Sequence, residues 1–174
     1  YEKVLVDNGS TNSSLLYNPN YAPRGWRLVR YEDNHGHIVG QNRCFESARG
    51  EWVLFVANDV RLKIRCLESL YHLRLAYDIL QPKLLTPTST FDNAGLFWTW
   101  PGYGLSMNKE NSIPTAFTSS CYLMKKSTWE DVGQFDERLE TSHEDVDFSL
   151  RARNLGYVIQ ADRRSYTIHL GNAT

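Results

Sequence analysis

Short apolar segments alternate with segments of helical periodicity along most of the chain. Apolar runs bounded by turn residues are typical of strands, and they occur at Lys3–Val6, Trp26–Tyr31, Trp52–Ala57, Leu80–Leu85, Ser120–Lys125, Tyr157–Ala161 and Tyr166–Ile168. Helical spacing or a helix-start signal predicts helices at Ile38–Arg49, at Ile64–Tyr77, from Ser127 onward and at Ser142–Asn154. The segment Thr86–Pro114 resists assignment, and its length indicates a functional loop.

This alternation predicts an α/β domain with a mainly parallel, twisted sheet and helices on both of its faces. In open sheets of this kind, ligands bind beyond the carboxyl ends of the strands. Three polar residues follow or end predicted strands, namely Asp7, Asp59 and His169. We therefore expect these three side chains to lie at one edge of the sheet.

Composition narrows the classes of protein that fit. The 174 residues suit a single domain, and the formal net charge of −1 argues against a dedicated nucleic-acid binder, which would carry a basic excess. The apolar run Val53–Ala57 is far shorter than the roughly 20 residues that span a bilayer. The cysteines at 44, 66 and 121 form no C-x-x-C pair, so we expect reduced core residues rather than zinc ligands.

The compartment is left open by the sequence. Asn-x-Ser/Thr motifs begin at Asn8, Asn12 and Asn172, which leaves a secretory location possible without favouring it. The chain begins at Tyr1, without Met and already close to a strand. We expect a piece of a longer protein.

Asp59 is the first candidate for chemistry. It follows a buried strand, and a carboxylate there suits Mg²⁺ or Mn²⁺, which bind one or two carboxylates together with substrate phosphates. Alternatively, Asn58 and Asp59 only form a turn, since both residue types favour turns. Asp7 has the same ambiguity: it could contact a nucleobase or ribose, or make an Asx turn with the following residues.

The densest acidic group begins the predicted helix at residue 144. Glu144 or Asp145 could act as a general base at the rim of a cleft. Alternatively, these acids only favour the positive end of the helix dipole, and Asp147 pairs with Arg151 one turn later. His169 could complete a divalent-metal site or be structural. Trp98 and Trp100 could stack on a sugar ring or pack beneath a loop.

Taken in order, several segments resemble family 2 glycosyltransferases of the GT-A fold, and the rhamnosyltransferase-like branch in particular. No phosphate-binding glycine loop is present, which is consistent with a metal carrying the diphosphate charge. The resemblance extends over most of the chain and rests on Val4–Thr11, Asn34–Gly36, Gly40–Arg43, Ala48–Glu51, Leu54–Val60, Asn93–Gly95, Cys121–Met124, Asp131–Glu137, His143–Arg153 and His169.

The resemblance implies a role for each candidate residue. Asp59 takes the metal-binding position of the D-x-D motif, and His169 takes the late metal-ligand position. Asp145 takes the general-base position, with Glu144 beside it. The expected substrate- and nucleotide-binding residues are Asp7, Asn8, Ser10, Asn42, Asn58, Trp98 and Trp100. The chain departs from the pattern at Ala57, where the first acid of D-x-D would stand, and the family's opening strand is expected upstream of Tyr1.

The implied activity is metal-dependent, inverting transfer of a sugar from a nucleoside-diphosphate donor to a carbohydrate or other hydroxyl acceptor, with Mn²⁺ or Mg²⁺ as cofactor. A buried Asp145 with a raised pKa would suit its role as base. The alternative is a degenerate GT-A domain that binds a nucleotide-sugar, a glycan or a protein. We expect a cytoplasmic location; membrane association through segments outside this chain and a secretory-pathway lumen stay open as alternatives.

Overall fold

A computed structural model describes residues 1–11, 24–99, 103–106, 113–140 and 142–171. Its strands are β1 (Val4–Asn8), β2 (Arg27–Tyr31), β3 (Trp52–Val56), β4 (Val60–Leu62), β5 (Ile79–Leu85), β6 (Phe91–Asn93), β7 (Leu96–Thr99), β8 (Tyr103–Ser106), β9 (Cys121–Lys125) and β10 (Ile159–His169). Its helices are α1 (His37–Ser47), α2 (Cys66–Leu73), α3 (Lys126–Val132) and α4 (Glu144–Asn154), with a short 3-10 helix at Glu137–Leu139.

The predicted α/β architecture is confirmed, but the direction of the strands is mixed. The main sheet runs in the order β3-β9-β5-β10-β4, with β6 beside β5. Within it, β5 and β10 are parallel, whereas the pairings of β9 with β3 and β5, of β5 with β6 and of β10 with β4 are antiparallel. The parallel pair β1-β2 forms a separate small sheet. The expectation of a mainly parallel sheet is corrected accordingly.

Helices cover both faces of the main sheet, as alternation along β9 shows. Tyr122 and Met124 face a cluster that contains residues of α1, α3 and α4, including the stacked rings of Phe45 and Trp129. Leu123, between them, faces the opposite way and packs with the buried residues of α2. Successive side chains of a strand point to opposite faces, so this one strand joins the two halves of the core.

Several element boundaries differ from the sequence-based expectation. The two predicted strands near the C-terminus form one strand, β10, with an irregularity between Asp162 and Tyr166. The predicted capping box at Ser127 is absent, because α3 begins one residue earlier with Lys125 as its cap and no side-chain cap bond. The cysteines are free, and Cys66 and Cys121 are buried, which confirms the prediction for them.

The segment Thr86–Pro114, which the sequence left unassigned, contains regular secondary structure. It includes β6 and the antiparallel hairpin β7-β8, and β7 also bridges to Ala116. Gly95 allows this approach: its φ is +109°, and a Cβ there would lie 2.4 Å from Cβ of Pro114. Such a position tolerates only glycine without strain.

Candidate active site

The turn after β3 presents Asp59. The backbone N–H of Val60 donates to the carbonyl of Ala57, which closes a tight turn around Asn58 and Asp59. Asn58 is exposed at the turn, whereas the side chain of Asp59 is only 19% exposed. Asn58 and Asp59 therefore form a turn, as one of the two interpretations of the sequence predicted. A turn at this position is compatible with metal binding by Asp59.

His169 lies between two carboxylates. Its Nε2 is 3.2 Å from Oδ2 of Asp59, and its Nδ1 is 3.2 Å from Oδ2 of Asp92. Asp92 is on β6, 77 residues away in sequence, and sequence analysis missed it because it lies in the segment without a recognisable pattern. A carboxylate on one imidazole nitrogen orients the ring and leaves the other nitrogen for a metal.

Asp59 and His169 offer an incomplete set of metal ligands. Within the parts of the chain that the structure describes, no group of three or more His, Cys, Asp or Glu residues is arranged to hold a metal ion. Ala57 contributes no ligand. Mg²⁺-type sites often use only one or two carboxylates and complete the shell with substrate phosphates and water, so one oxygen and one nitrogen donor fit a site that forms with the substrate.

Asp145 lies at the first turn of α4, where a general base was predicted. Its Oδ2 accepts a hydrogen bond from the backbone N–H of Ser119 (3.2 Å), and its Oδ1 accepts one from the N–H of Val146 (2.8 Å). Burial, followed by the adjacent charge of Glu144, raises the pKa of Asp145 to about 6. A carboxylate with a pKa in this range is suited to accepting a proton near neutral pH.

Glu144 is placed differently from the prediction. The residue is 2% exposed and accepts hydrogen bonds from Nε2 of Gln41 (3.0 Å) and from Nε2 of His37 (3.1 Å). Burial acts to raise its pKa, but hydrogen bonds from His37 and Ser119 outweigh burial and hold the pKa below its ordinary value. Glu144 is thus an ionised, enclosed group, and we assign it a supporting role rather than a catalytic one.

His37 completes this arrangement and was not singled out from sequence. The hydrogen bond to Glu144 is the main cause of a raised pKa at His37. Gln41, one turn further along α1, also accepts a hydrogen bond from the Tyr122 hydroxyl at 2.9 Å. Helix α1 therefore fixes the position of Glu144, which in turn influences the charge state of Asp145.

Asp7, Asn8 and Ser10 form a compact turn at the end of β1. Oδ1 of Asp7 accepts from the N–H of Ser10 (3.0 Å), as the Asx-turn alternative predicted. Its Oδ2 is buried 3.5 Å from Nε of Arg30, without a hydrogen bond to the described residues. The turn has no room for a side chain at Gly9, where a Cβ would lie 2.3 Å from the backbone nitrogen of Asn34.

Asn8 and Asn42, both predicted to bind nucleotide, instead make internal contacts. Asn8 donates to the carbonyl of Gly36 (2.8 Å) and accepts from Arg43. Asn42 is 2% exposed and its amide bonds to both the N–H and the carbonyl of Phe135 and to Glu137. Because these contacts occupy the amide of Asn42, we assign it the role of joining α1 to the turn that precedes α4.

Contacts connect Asp59 to Asp145 without a break. Oδ2 of Asp92 contacts His169, and the next residue, Asn93, is 3.4 Å from the hydroxyl of Thr118. The N–H of Ser119 binds Asp145, and the carbonyl of Ser120 binds the N–H of Ala57 at 2.9 Å. Residues 118–120 therefore contact Asp145 directly, and they contact the metal-ligand candidates only through Asn93, next to Asp92, and Ala57, two residues before Asp59.

Two predicted residues cannot be placed in the site. Trp98 belongs to β7, but only its backbone is described, and Trp100 lies outside the described residues. Two cavities, of about 410 and 310 Å³, lie between α2 and β10. Neither cavity is lined by a residue of the candidate active site, so both are separate from that site.

A model of glycosyl transferase family 2 matches residues 1–132, about three-quarters of the chain. The chain belongs to glycosyl transferase family 2. The match includes β1 with Asp7 and the turn that carries Asp59. Asp145 and His169 lie beyond it.

Two curated relatives align with this family 2 chain. The O-antigen biosynthesis protein RfbC of Myxococcus xanthus is 25% identical over the whole chain, and the low-salt glycan biosynthesis hexosyltransferase Agl10 of Haloferax volcanii is 28% identical over 87% of it. The chain spans 15% and 53% of the lengths of these relatives.

Solved structures with the same fold are glycosyltransferases of the GT-A class. GalNAc-T7, crystallised with UDP, GalNAc and Mn²⁺, superposes on 97% of this chain and 37% of its own, with a TM-score of 0.77 and 13% identity. Staphylococcus aureus TarS, as residues 1–349, covers 97% of this chain and 51% of its own, with a TM-score of 0.68 and 20% identity. In the described residues, no helix is long and apolar enough to cross a membrane.

Proposed function

We propose that this family 2 domain transfers a sugar from a nucleoside-diphosphate donor to an acceptor hydroxyl, with inversion at the anomeric carbon and with a divalent cation bound. The observation that carries the proposal is the arrangement around residues 118–120. The Asp59–His169 pair is linked to this segment through Asp92, Asn93 and Ala57, and Asp145, whose pKa is raised to about 6, accepts a hydrogen bond from the segment directly.

Asp145 acts as the general base in this proposal. It takes the proton of the acceptor hydroxyl while that oxygen forms its bond to the anomeric carbon and the bond from that carbon to the diphosphate oxygen breaks. Inversion follows because the nucleophile approaches opposite the leaving group. Two backbone N–H groups hold the carboxylate of Asp145 in one orientation, which limits the reorganisation needed before proton transfer.

Asp59 and His169 would hold the cation, and Asp92 would orient the ring of His169. When bound, the cation neutralises charge on the departing diphosphate as a Lewis acid. Asp7, whose buried Oδ2 has no hydrogen-bond partner among the described residues, remains the proposed contact for the nucleobase or ribose. Ser10 and Asn58, beside these acids, remain proposed substrate contacts.

Structures with the same fold support this assignment of substrates. GalNAc-T7 was crystallised with UDP, GalNAc and Mn²⁺, and TarS was crystallised with UDP. The relative Agl10 is described as a hexosyltransferase. A hexose from a nucleoside-diphosphate donor is therefore the first substrate class to test.

A thermal-shift panel of UDP-, GDP- and dTDP-hexoses and dTDP-rhamnose, with and without Mn²⁺, tests donor binding. A ligand at a hundredfold excess over its Kd stabilises a protein by about 2.7 kcal/mol, which for a domain of this size raises Tm by about 5–10 °C. We expect such a shift with one nucleotide class, and we expect it to depend on Mn²⁺. A melting curve unchanged by every donor would contradict the proposal.

The pH dependence of transfer should report Asp145. Because Asp145 must be ionised to accept a proton, kcat should fall about tenfold per pH unit below a pKa near 6. In Glu144→Gln the neighbouring negative charge is lost, which should lower the pKa of Asp145 and move this acidic limb to lower pH. If kcat falls at the same pH in the parent chain and in Glu144→Gln, a group other than Asp145 titrates.

A second candidate function is binding of a nucleotide-sugar without transfer. Ala57, in the position of the first acid of the D-x-D motif, favours it because it removes one metal ligand. Donor-dependent stabilisation combined with neither transfer nor donor hydrolysis in Mn²⁺ would support this function over the first.

A further inference from the structure

Helix α2 carries a second apolar face that the fold does not bury. Cys66 and Leu70 pack against Leu80 and Leu123 of the main sheet. The stripe formed by Ile64, Leu67, Tyr71 and Leu75 is not part of that buried face: Leu67 and Tyr71 lie one turn apart on α2, and Ile64 and Leu75 lie in the turns just before and after it. Ile64 belongs to a turn that the N–H of Cys66 closes by donating to the carbonyl of Lys63, and the left-handed Arg65 (φ +65°) separates that turn from α2.

The stripe is exposed to an extent unusual for its residue types. Ile64 is 94% exposed, Leu75 is 85% exposed and Tyr71 is 45% exposed. Isolated apolar residues on a surface are common, but a contiguous row of them marks an interaction site. The packing of the domain does not account for these side chains, because the buried face of α2 is formed by other residues.

Basic residues flank the stripe on both sides. Between residues 61 and 76 the chain has four Lys or Arg (Arg61, Lys63, Arg65 and Arg74) and one acid, Glu68, although its total formal charge is −1. On one flank, the guanidinium of Arg74 lies over the ring of Tyr71, 3.6 Å from its centroid. On the other, Arg65 and Arg164 line the 310 Å³ cavity beside Ile64.

We propose that this face docks the domain onto an anionic lipid bilayer. The apolar stripe would enter the boundary between headgroups and acyl chains, and the flanking cations would contact lipid phosphates. Apolar residues on one face and Lys or Arg beside them are the features that place a helix in a membrane interface, and a tyrosine suits that depth because its ring is apolar and its hydroxyl is polar. The proposal is independent of the proposed function.

The choice of a bilayer over another protein rests on charge. A face that paired two copies of this chain would bring the same cations together at the interface, which is unfavourable. An anionic membrane surface attracts each of them, and the effect of one Lys or Arg near such a surface on binding is about fivefold.

Co-sedimentation with vesicles tests the proposal. We expect the 174-residue chain to bind vesicles of 70% phosphatidylcholine and 30% phosphatidylglycerol, not vesicles of pure phosphatidylcholine, and to dissociate as salt is raised from 0.1 to 0.5 M. Arg61→Gln with Lys63→Gln should weaken binding by roughly 25-fold, at about fivefold per charge. Ile64→Ser with Leu75→Ser should weaken it at least tenfold, because apolar burial contributes to binding.

Matched controls separate docking from folding. Leu155→Ser changes an apolar residue that is 57% exposed at the C-terminal cap of α4 and should leave vesicle binding unchanged. Because Ile64 and Leu75 are exposed, the Tm of their double variant should equal that of the parent chain. Equal sedimentation of that variant and the parent, or equal binding to neutral and anionic vesicles, would overturn the proposal. So would a dimer that Ile64→Ser with Leu75→Ser dissociates, in the absence of vesicle binding.

Discussion

Replacing Asp145 with asparagine should reduce kcat by about 10²–10⁴-fold, the usual contribution of a general base. Asparagine has nearly the same shape and keeps an oxygen that can accept from the N–H of Ser119 or Val146, but it cannot take the acceptor proton. Donor binding should therefore be nearly unchanged. Initial rates of transfer, together with the Tm shift produced by donor and Mn²⁺, measure the two effects separately.

Asp147→Asn is the matched control, because it removes a carboxylate two residues away on the same helix. Asp147 pairs with Arg151 at 2.7 Å, one turn along α4. A partly exposed ion pair one helical turn apart contributes modestly to stability, on the order of 0.3–0.5 kcal/mol. Its turnover should remain near that of the parent chain. Undiminished turnover in Asp145→Asn would remove the base assignment.

Replacing Asp59 with asparagine should abolish the part of donor binding that depends on Mn²⁺. The amide is a weaker ligand than the carboxylate, and with Ala57 two residues earlier the motif supplies no second acid. We expect the Mn²⁺-dependent Tm shift with donor, about 5–10 °C in the parent chain, to disappear. Turnover should fall by at least a hundredfold. Titration calorimetry of Mn²⁺ in the presence of UDP provides a readout that does not need activity.

Two further variants sharpen this experiment. Asp92→Asn leaves both proposed ligands in place and weakens only the support of His169, so metal affinity should fall by about 10–100-fold, as is typical of such partners. Glu51→Gln removes a carboxylate from the opposite end of β3, where it pairs with Lys125, and should change nothing. A Mn²⁺-dependent shift that survives in Asp59→Asn would place the cation elsewhere.

Much of the candidate site could be predicted from the sequence, because the end of a strand can be recognised from a few neighbouring residues. Asp7, Asp59 and His169 each follow or end an apolar run, and the structure puts Asp59 in contact with His169 although 110 residues separate them. The start of α4 was also visible in the sequence, with Asp145 in its first turn. These patterns did not predict which residues each side chain contacts.

Glu144 and Asn42 show why partners were not predictable. In the sequence, Glu144 and Asp145 are equivalent acids at a helix start, yet one is enclosed by Gln41 and His37 and the other contacts backbone N–H groups near residues 118–120. His37 is 107 residues from Glu144 in sequence. Asn42 resembles a ligand-binding amide until Phe135 and Glu137 are found against it.

The sequence itself determined the alternation of strands and helices outside residues 86–114, and it also determined the reduced cysteines and the acids at the strand ends. Hydrophobic periodicity and turn chemistry act over a few neighbouring residues, so these features are readable locally. Only the tertiary structure decided three other features: the antiparallel direction of β9, the contact of Asp92 with His169 and the raised pKa of Asp145. They depend on burial and on contacts between segments far apart in the chain, which local patterns do not encode.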